Sequence, residues 1–179
     1  LDLLAQIGIV PDLIVAAEVD ESALPDEAPR QTAVRLAIAK VRAAVERTEC
    51  LDGFVLGADT IVSVGRRQLG KAETADEARR FLALLSGRRH VVTTAVVLLA
   101  HGGRLSSRVV ETAVAFSRLT DAQVERLIEA GDWHGKAGGY AIQGHAASVA
   151  RFLSGSYSGV VGLPLFETAQ LLRGHGLLP

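Results

Sequence analysis

The chain has 179 residues, of which 49% are hydrophobic and 4% aromatic, and its formal charge is −1. That length favours a single domain over residues 1–179, or one core with a smaller lobe, and the interior must be aliphatic. A charge so close to zero gives no global field to attract nucleic acid or an anionic membrane, so an anionic ligand must be held by a local cluster. Cys50 is the single cysteine, which excludes an intrachain disulfide and points to a reducing, cytoplasmic compartment. The five histidines (His90, His101, His134, His145, His175) have no zinc-ligand spacing. No apolar run is long enough to span a membrane, and no charged-then-apolar leader is present.

Residues 1–8 predict a helix ended by Gly8, and Pro11 separates it from an apolar strand over 13–17. Asp20-Glu21-Ser22 follows that strand, and 25–29 is an acidic, proline-bearing loop. Over 30–47 the spacing predicts an amphipathic helix with Val34, Ile38, Val41 and Val45 on its inner face. Leu36 and Lys40 share a different face, and Lys40 taken alone reads as a solvated lysine.

Residues 53–71 organise the rest: an apolar strand, a turn and a short return ending at Lys71. Asp59 stands inside the apolar run. It must be paired, hydrogen-bonded or metal-bound, because a bare buried charge is costly. Gly57 leaves room for a backbone or a ligand to come close.

Thr74-Ala75-Asp76-Glu77 is a capping box opening a helix whose Ala78, Phe81, Leu82 and Leu85 face inward. Residues 89–100 and 104–119 predict two strands longer than usual, joined at His101-Gly102-Gly103, and hence a long bent ribbon. A second capping box at Thr120-Asp121-Ala122-Gln123 starts a helix that stops before Gly131. Residues 131–144 hold five glycines and no helical period, which suits a lid or a loop that a ligand approaches. Residues 140–143 predict a short strand with Gln143 at its exit. Residues 145–153 predict a short helix or bent segment, 154–159 a polar loop, and Pro164 opens a last helix ended by Gly174. The order is α/β with a mixed sheet.

The candidate polar groups are Asp20, Glu21, Lys40, Asp59, Lys71, Lys136, Gln143 and the Ser156–Ser158 loop. Phosphate chemistry uses such a set: carboxylates hold a hard cation, and lysines neutralise charge on phosphoryl oxygens. Glu21 and Asp59 could supply the carboxylates that Mg²⁺ needs beside its ligand phosphates, and a carboxylate can also deprotonate the attacking water. A serine hydrolase is disfavoured because no Gly-x-Ser-x-Gly stands between strand and helix. The P-loop pattern is absent, and Gly135-Lys136-Ala137-Gly138-Gly139 is a weak lookalike. An Asp-based phosphatase would need a second Asp where Ile61 stands. Trp133 reads as a packing residue ahead of a base-stacking one, and His90 as a strand-end hydrogen-bonding residue.

Taken in order, several short motifs resemble the Maf family of nucleoside triphosphate pyrophosphatases. They are Gly57-Ala58-Asp59-Thr60-Ile61-Val62, Leu69-Gly70-Lys71, Leu85-Ser86-Gly87 with His90, Lys136-Ala137-Gly138-Gly139-Tyr140-Ala141-Ile142-Gln143-Gly144, Gly155-Ser156-Tyr157-Ser158 and Val161-Gly162-Leu163-Pro164-Leu165. Each is weak alone, but the ordered set is specific. The resemblance implies an α/β, inosine-triphosphatase-like fold with an elongated mixed sheet, a cleft between two lobes and a homodimer. It also implies hydrolysis of a nucleoside triphosphate to the monophosphate and pyrophosphate with Mg²⁺ or Mn²⁺. On matching positions, Asp59 would accept the proton of water, Glu21 and Asp59 would face the metal, and Lys40 and Lys71 would bind phosphates. Thr60 and Gln143 would set base specificity, with Lys136 on the substrate side. Ile142-Gln143-Gly144 resembles the branch acting on dTTP and UTP, whereas the 7-methyl-GTP branch usually carries Ser-Glu-Gly.

The family opens with a strand and a Ser-Ala-Ser-Pro-Arg-Arg loop that meets the triphosphate, and Leu1 falls after that segment. Without it, affinity and turnover would fall, since bidentate Arg–phosphate contacts are worth roughly 1.5–3 kcal/mol each. Ala72 and Gly159 stand where Pro and Asn are common. Three readings follow: a dTTP/UTP pyrophosphatase serving nucleotide-pool house-cleaning, an inosine/xanthosine or 7-methyl-GTP pyrophosphatase, and a non-catalytic nucleotide-binding regulator linked to septum formation. The Gln143 amide, able to pair with a pyrimidine's O4/N3 edge, favours the first.

Overall fold

Five strands form one sheet in the order β2-β1-β3-β4-β5, with every strand pairing antiparallel. This computed structural model describes residues 2–22, 24–48 and 53–179. Cys50 lies outside the described residues. The strands are β1 (Val55–Val64), β2 (Arg67–Leu69), β3 (Arg89–Leu99), β4 (Leu105–Phe116) and β5 (Ala150–Ser154). The helices are α1 (Asp2–Ala5), α2 (Pro29–Glu46), α3 (Ala75–Leu85), α4 (Asp121–Ala130), α5 (Tyr157–Val161) and α6 (Leu165–Gly174), with a 3₁₀ turn at His145–Ser148. The expected α/β class and the long ribbon are present: β3 and β4 pair without interruption from Arg89–Ala115 to Leu99–Leu105. Among the described residues parallel pairing, expected of a mixed sheet, is confined to an isolated Ala72–His134 bridge.

Both capping boxes form. Thr74 accepts from the Glu77 amide at 3.3 Å, and Thr120 from Gln123 at 3.3 Å, each satisfying an amide that the first helical turn leaves unpaired. Along β3, successive side chains alternate between the two sheet faces. Ala95 and Val97 pack with Ala33, Ala37 and Val41 of α2. Val92, on the opposite parity, joins a larger core of Leu69, Leu82, Leu85, Phe116, Tyr140 and Ile142. No helix among the described residues is long and apolar enough to cross a membrane.

Four local expectations are corrected. Residues 13–17 form no strand: Leu13 and Ile14 are 62% and 63% exposed, and no sheet edge among the described residues takes them. The inner face of α2 is Ala33, Leu36, Ala37 and Val41, while Val34, Ile38 and Val45 are half-buried. The cause lies on β1. A Cβ at Gly57 would stand 2.6 Å from Val41 Cγ2 and 3.3 Å from the Ala37 carbonyl, so the glycine lets the helix's small residues sit against the strand. Residues 140–143 turn instead of extending, as the Gly144 amide donates to the Ala141 carbonyl at 3.0 Å. Part of 145–153 is a strand, β5, taken up on the free edge of β4.

Candidate active site

The site forms where β1 loses its outer neighbour. β2 pairs only with Val62, Ser63 and Val64, so at Asp59 that edge of β1 carries no strand among the described residues. Asp59 is 6% exposed, and its carboxylate accepts a hydrogen bond from the Lys40 ammonium on α2. The close seating of α2 on Gly57 brings Lys40, the neighbour of Val41, within reach. Lys40 also meets Glu21 at 3.0 Å, and Glu21 accepts from Lys71 at 2.7 Å. Asp59, Lys40, Glu21 and Lys71 thus form a run of alternating charge drawn from a strand, a helix, the irregular stretch before α2 and the exit of the hairpin.

The opposite wall is stitched to that exit. The Ala72 amide donates to the Lys136 carbonyl at 3.2 Å, Gly135 donates to Ala72 at 2.9 Å, and Gly138 to Gly70 at 3.0 Å. This pairing carries the glycine-rich loop along residues 70–72, with Ala137 opposite Lys71, and leaves Lys71 and Lys136 lining the same cleft. Between the walls lies a cleft of about 230 Å³ lined by Lys40, Asp59, Thr60, Lys71, Lys136, Tyr140 and Gln143, among others. Thr60 turns to the other sheet face, where its hydroxyl meets Thr94 at 2.9 Å. Thr94 in turn donates to the Gly159 carbonyl at 2.7 Å, fixing α5, whose Val160 and Val161 close the cleft.

Burial pushes the Asp59 carboxyl above the ordinary carboxylate value; the bond and charge of Lys40 oppose this, and the neighbouring Glu21 charge adds to it. Burial works against the charge of Lys40 as well, but bonding to Asp59 and Glu21 outweighs it and raises its pKa. Glu21 is likewise opposed by burial, and its two lysine partners hold it below the usual value. The site therefore presents one carboxylate biased toward taking a proton and another kept ionised. Three lysines face two carboxylates, an excess of positive charge suited to an anion.

The structure thus gathers Glu21, Lys40, Asp59, Thr60, Lys71, Lys136 and Gln143 around one cleft. Asp20 stays outside it, its carboxylate accepting from the Ser22 amide at 2.9 Å. The Ser156–Ser158 loop is occupied with capping: Ser156 accepts from the Gly159 amide and Ser158 from Leu165, each at 3.0 Å. Trp133 packs beside α4 and donates to the Ile128 carbonyl at 2.9 Å. Among the described residues no group of three or more His, Cys, Asp or Glu is arranged to hold a metal ion. Glu21 and Asp59 do converge on one cation, the Lys40 ammonium, and two carboxylates plus ligand phosphates is the donor set that Mg²⁺ ordinarily takes.

Sequence reasoning missed two pairings. His90 Nε2 lies 2.8 Å from the Tyr140 hydroxyl, and Asp132 accepts from both the amide and Nδ1 of His145 at 2.7 Å, clasping the base of the loop. Neither pair has a local spacing signal, since each joins positions far apart in the chain.

The profile of the Maf-like protein family matches residues 1–175. The dTTP/UTP pyrophosphatase of Gluconobacter oxydans is 60% identical over 180 residues, covering 98% of this chain and 82% of that protein. The dTTP/UTP pyrophosphatase of Granulibacter bethesdensis is 55% identical over 186 residues, covering 97% and 87%. That of Caulobacter vibrioides is 51% identical over 179 residues, covering 100% and 92%. With likeness of this extent along its whole length, the chain belongs to the Maf family.

Proposed function

We propose that this chain is a nucleoside triphosphate pyrophosphatase that hydrolyses dTTP and UTP to the monophosphate and pyrophosphate. The observation that carries the reading is the buried Asp59 carboxylate standing among lysines in a cleft whose far wall holds Gln143. The names of the similar proteins support the substrate pair.

In this reading Asp59 accepts the proton of the attacking water, a role its raised pKa suits. The water oxygen bonds to phosphorus, and the anhydride bond between the α- and β-phosphoryl groups breaks. Lys40 and Lys71 neutralise charge on the non-bridging oxygens, and Lys136 holds the phosphate tail from the other wall. Thr60 shapes the floor, and the Gln143 amide pairs with the O4/N3 edge of the pyrimidine. Glu21 and Asp59 would hold a divalent cation, Mg²⁺ or Mn²⁺, together with the phosphates. When bound, such an ion supplies positive charge against the phosphoryl oxygens.

We place the reaction in the cytoplasm, where the nucleotide pool is, and read residues 1–179 as one domain whose two core clusters make the lobes. We further propose a homodimer, which light scattering of the purified protein decides. Pyrophosphate release from dTTP, UTP, CTP, 7-methyl-GTP and ITP with Mg²⁺ or Mn²⁺ present tests the function. The reading requires dTTP and UTP to lead, and a purine in the lead overturns it.

A further inference from the structure

His90 is 1% exposed and is the one buried imidazole among the described residues, set against the rings of Phe116 and Tyr140 in the larger core. It meets Phe116 edge-on at 5.2 Å and Tyr140 at 5.5 Å, and those two rings meet each other at 4.9 Å. Its Nε2 is 2.8 Å from the Tyr140 hydroxyl, and its Nδ1 has no hydrogen-bond partner among the described residues. If Nε2 carried the proton, both the Nδ1 lone pair and the Tyr140 proton would lack partners. With the proton on Nδ1, Tyr140 donates to Nε2 and one group is left unpaired. The second arrangement leaves fewer buried polar groups unsatisfied, so the hydroxyl donates to the ring.

An aliphatic side chain would fill the same space without an unpaired ring nitrogen, but it would leave the buried Tyr140 hydroxyl without its acceptor. What the imidazole adds is an acceptor that fixes Tyr140. That tyrosine lies on the loop carrying Lys136 and Gln143, and a single turn, closed by the Gly144 amide on Ala141, separates it from Gln143. Ahead of it, Gly138 and Gly139 adopt positive φ and press the backbone onto Val62 and Ala78, where a Cβ would stand 2.9 and 3.2 Å away. The loop is thus seated by backbone contact on one side of Tyr140 and by the His90 bond at the side chain.

We propose that His90 is a positioning residue for base recognition: by accepting from Tyr140 it sets where Gln143 presents its amide. This rests on the assignment of Gln143 to the pyrimidine edge. The test compares His90→Leu, which removes the acceptor, with His90→Gln, whose side-chain oxygen reaches the Nε2 position. kcat and KM are measured for dTTP, UTP and CTP well below the unfolding transition of each variant. The expected result for His90→Leu is about a ten-fold fall in the dTTP-to-CTP ratio of kcat/KM, carried by KM, with kcat within about three-fold of the parent and His90→Gln largely restoring the ratio. Equal ratios in all three proteins overturn the proposal, whatever happens to their stability, because a packing role moves the melting temperature alone. Should His90→Leu fail to fold, Tyr140→Phe carries the same comparison with the ring kept and the hydroxyl removed. Gln143→Leu separates the two claims. If it leaves the ratio unchanged, the base-recognition reading falls and this proposal with it; if it collapses the ratio while His90→Leu does not, only the positioning role falls.

Discussion

The wall built from α2 and β1 carries Lys40 on a helix and Asp59 on a strand, whereas the facing wall carries Lys136 and Gln143 on a loop with four glycines at positive φ. The first is set by packing. Ala33, Ala37 and Val41 pin the helix to the strand, and the charged groups follow from that geometry. The second adds hydrogen bonds to packing: Tyr140 and Ile142 enter the larger core, and residues 70–72, the Asp132–His145 clasp and the His90–Tyr140 pair tie the loop down. Proton transfer tolerates little displacement of the reacting groups, and regular elements hold it best. A loop held at separate points can be varied without disturbing the chemistry, which suits the end we propose for base recognition.

Breaking the first wall has the largest effect. Asp59→Asn lowers kcat by about 10²–10⁴-fold while nucleotide binding persists, read by steady-state kinetics beside equilibrium binding. In the parent protein the acid limb of kcat/KM lies above the ordinary aspartate value of 3.8, because burial raises this carboxyl. A raised native pKa means that ionising Asp59 costs stability as the pH rises through it. Asp59→Asn therefore does not lower the melting temperature at neutral pH, since Lys40 keeps Glu21 as a partner.

The second wall responds to acid. Burial lowers His90 to about 4 from 6.5, so the unfolded chain binds the extra proton first. The contribution of the neutral ring is fully present above pH 6.5 and is lost as the pH falls through about 4, amounting to about 3 kcal/mol. Denaturant unfolding across that range shows the decline, and His90→Gln lacks it. Returning to the first wall, Gly57→Ala brings a Cβ to 2.6 Å from Val41 and costs about 1–3 kcal/mol in the same measurement. Smallest is Lys71→Ala, at the half-exposed end of the charge run: KM rises about ten-fold, or about 1.4 kcal/mol, with kcat less affected.

Much of this was legible in the chain. The two Thr-led capping boxes, the hairpin around Asp59 and the long ribbon all follow local rules, and all are present. Most candidate site residues fall in the ordered motifs, but their convergence was not legible: Lys40 meets Asp59 nineteen positions away because the strand has a glycine under the helix. The same glycine explains why the inner face of α2 centres on Ala33, Ala37 and Val41 and leaves Val34, Ile38 and Val45 half-buried. β5 was missed because its burial does not alternate, with Arg151 and Phe152 both exposed; it exists because β4 offers an edge. The apolar run at 13–17 fails for the converse reason, having hydrophobicity without a strand to receive it.

The alternation of Asp59, Lys40, Glu21 and Lys71 also bears on the small anions that crowd any nucleotide-consuming enzyme. Lys40 and Lys71 already have counter-ions of the protein's own, so a solute arriving at either must displace a carboxylate, whichever way it meets Lys136. Orthophosphate or chloride can replace one such contact and recovers little by doing so. A triphosphate chain replaces several in a single event, and the internal pairing thereby acts as a threshold on ligand charge.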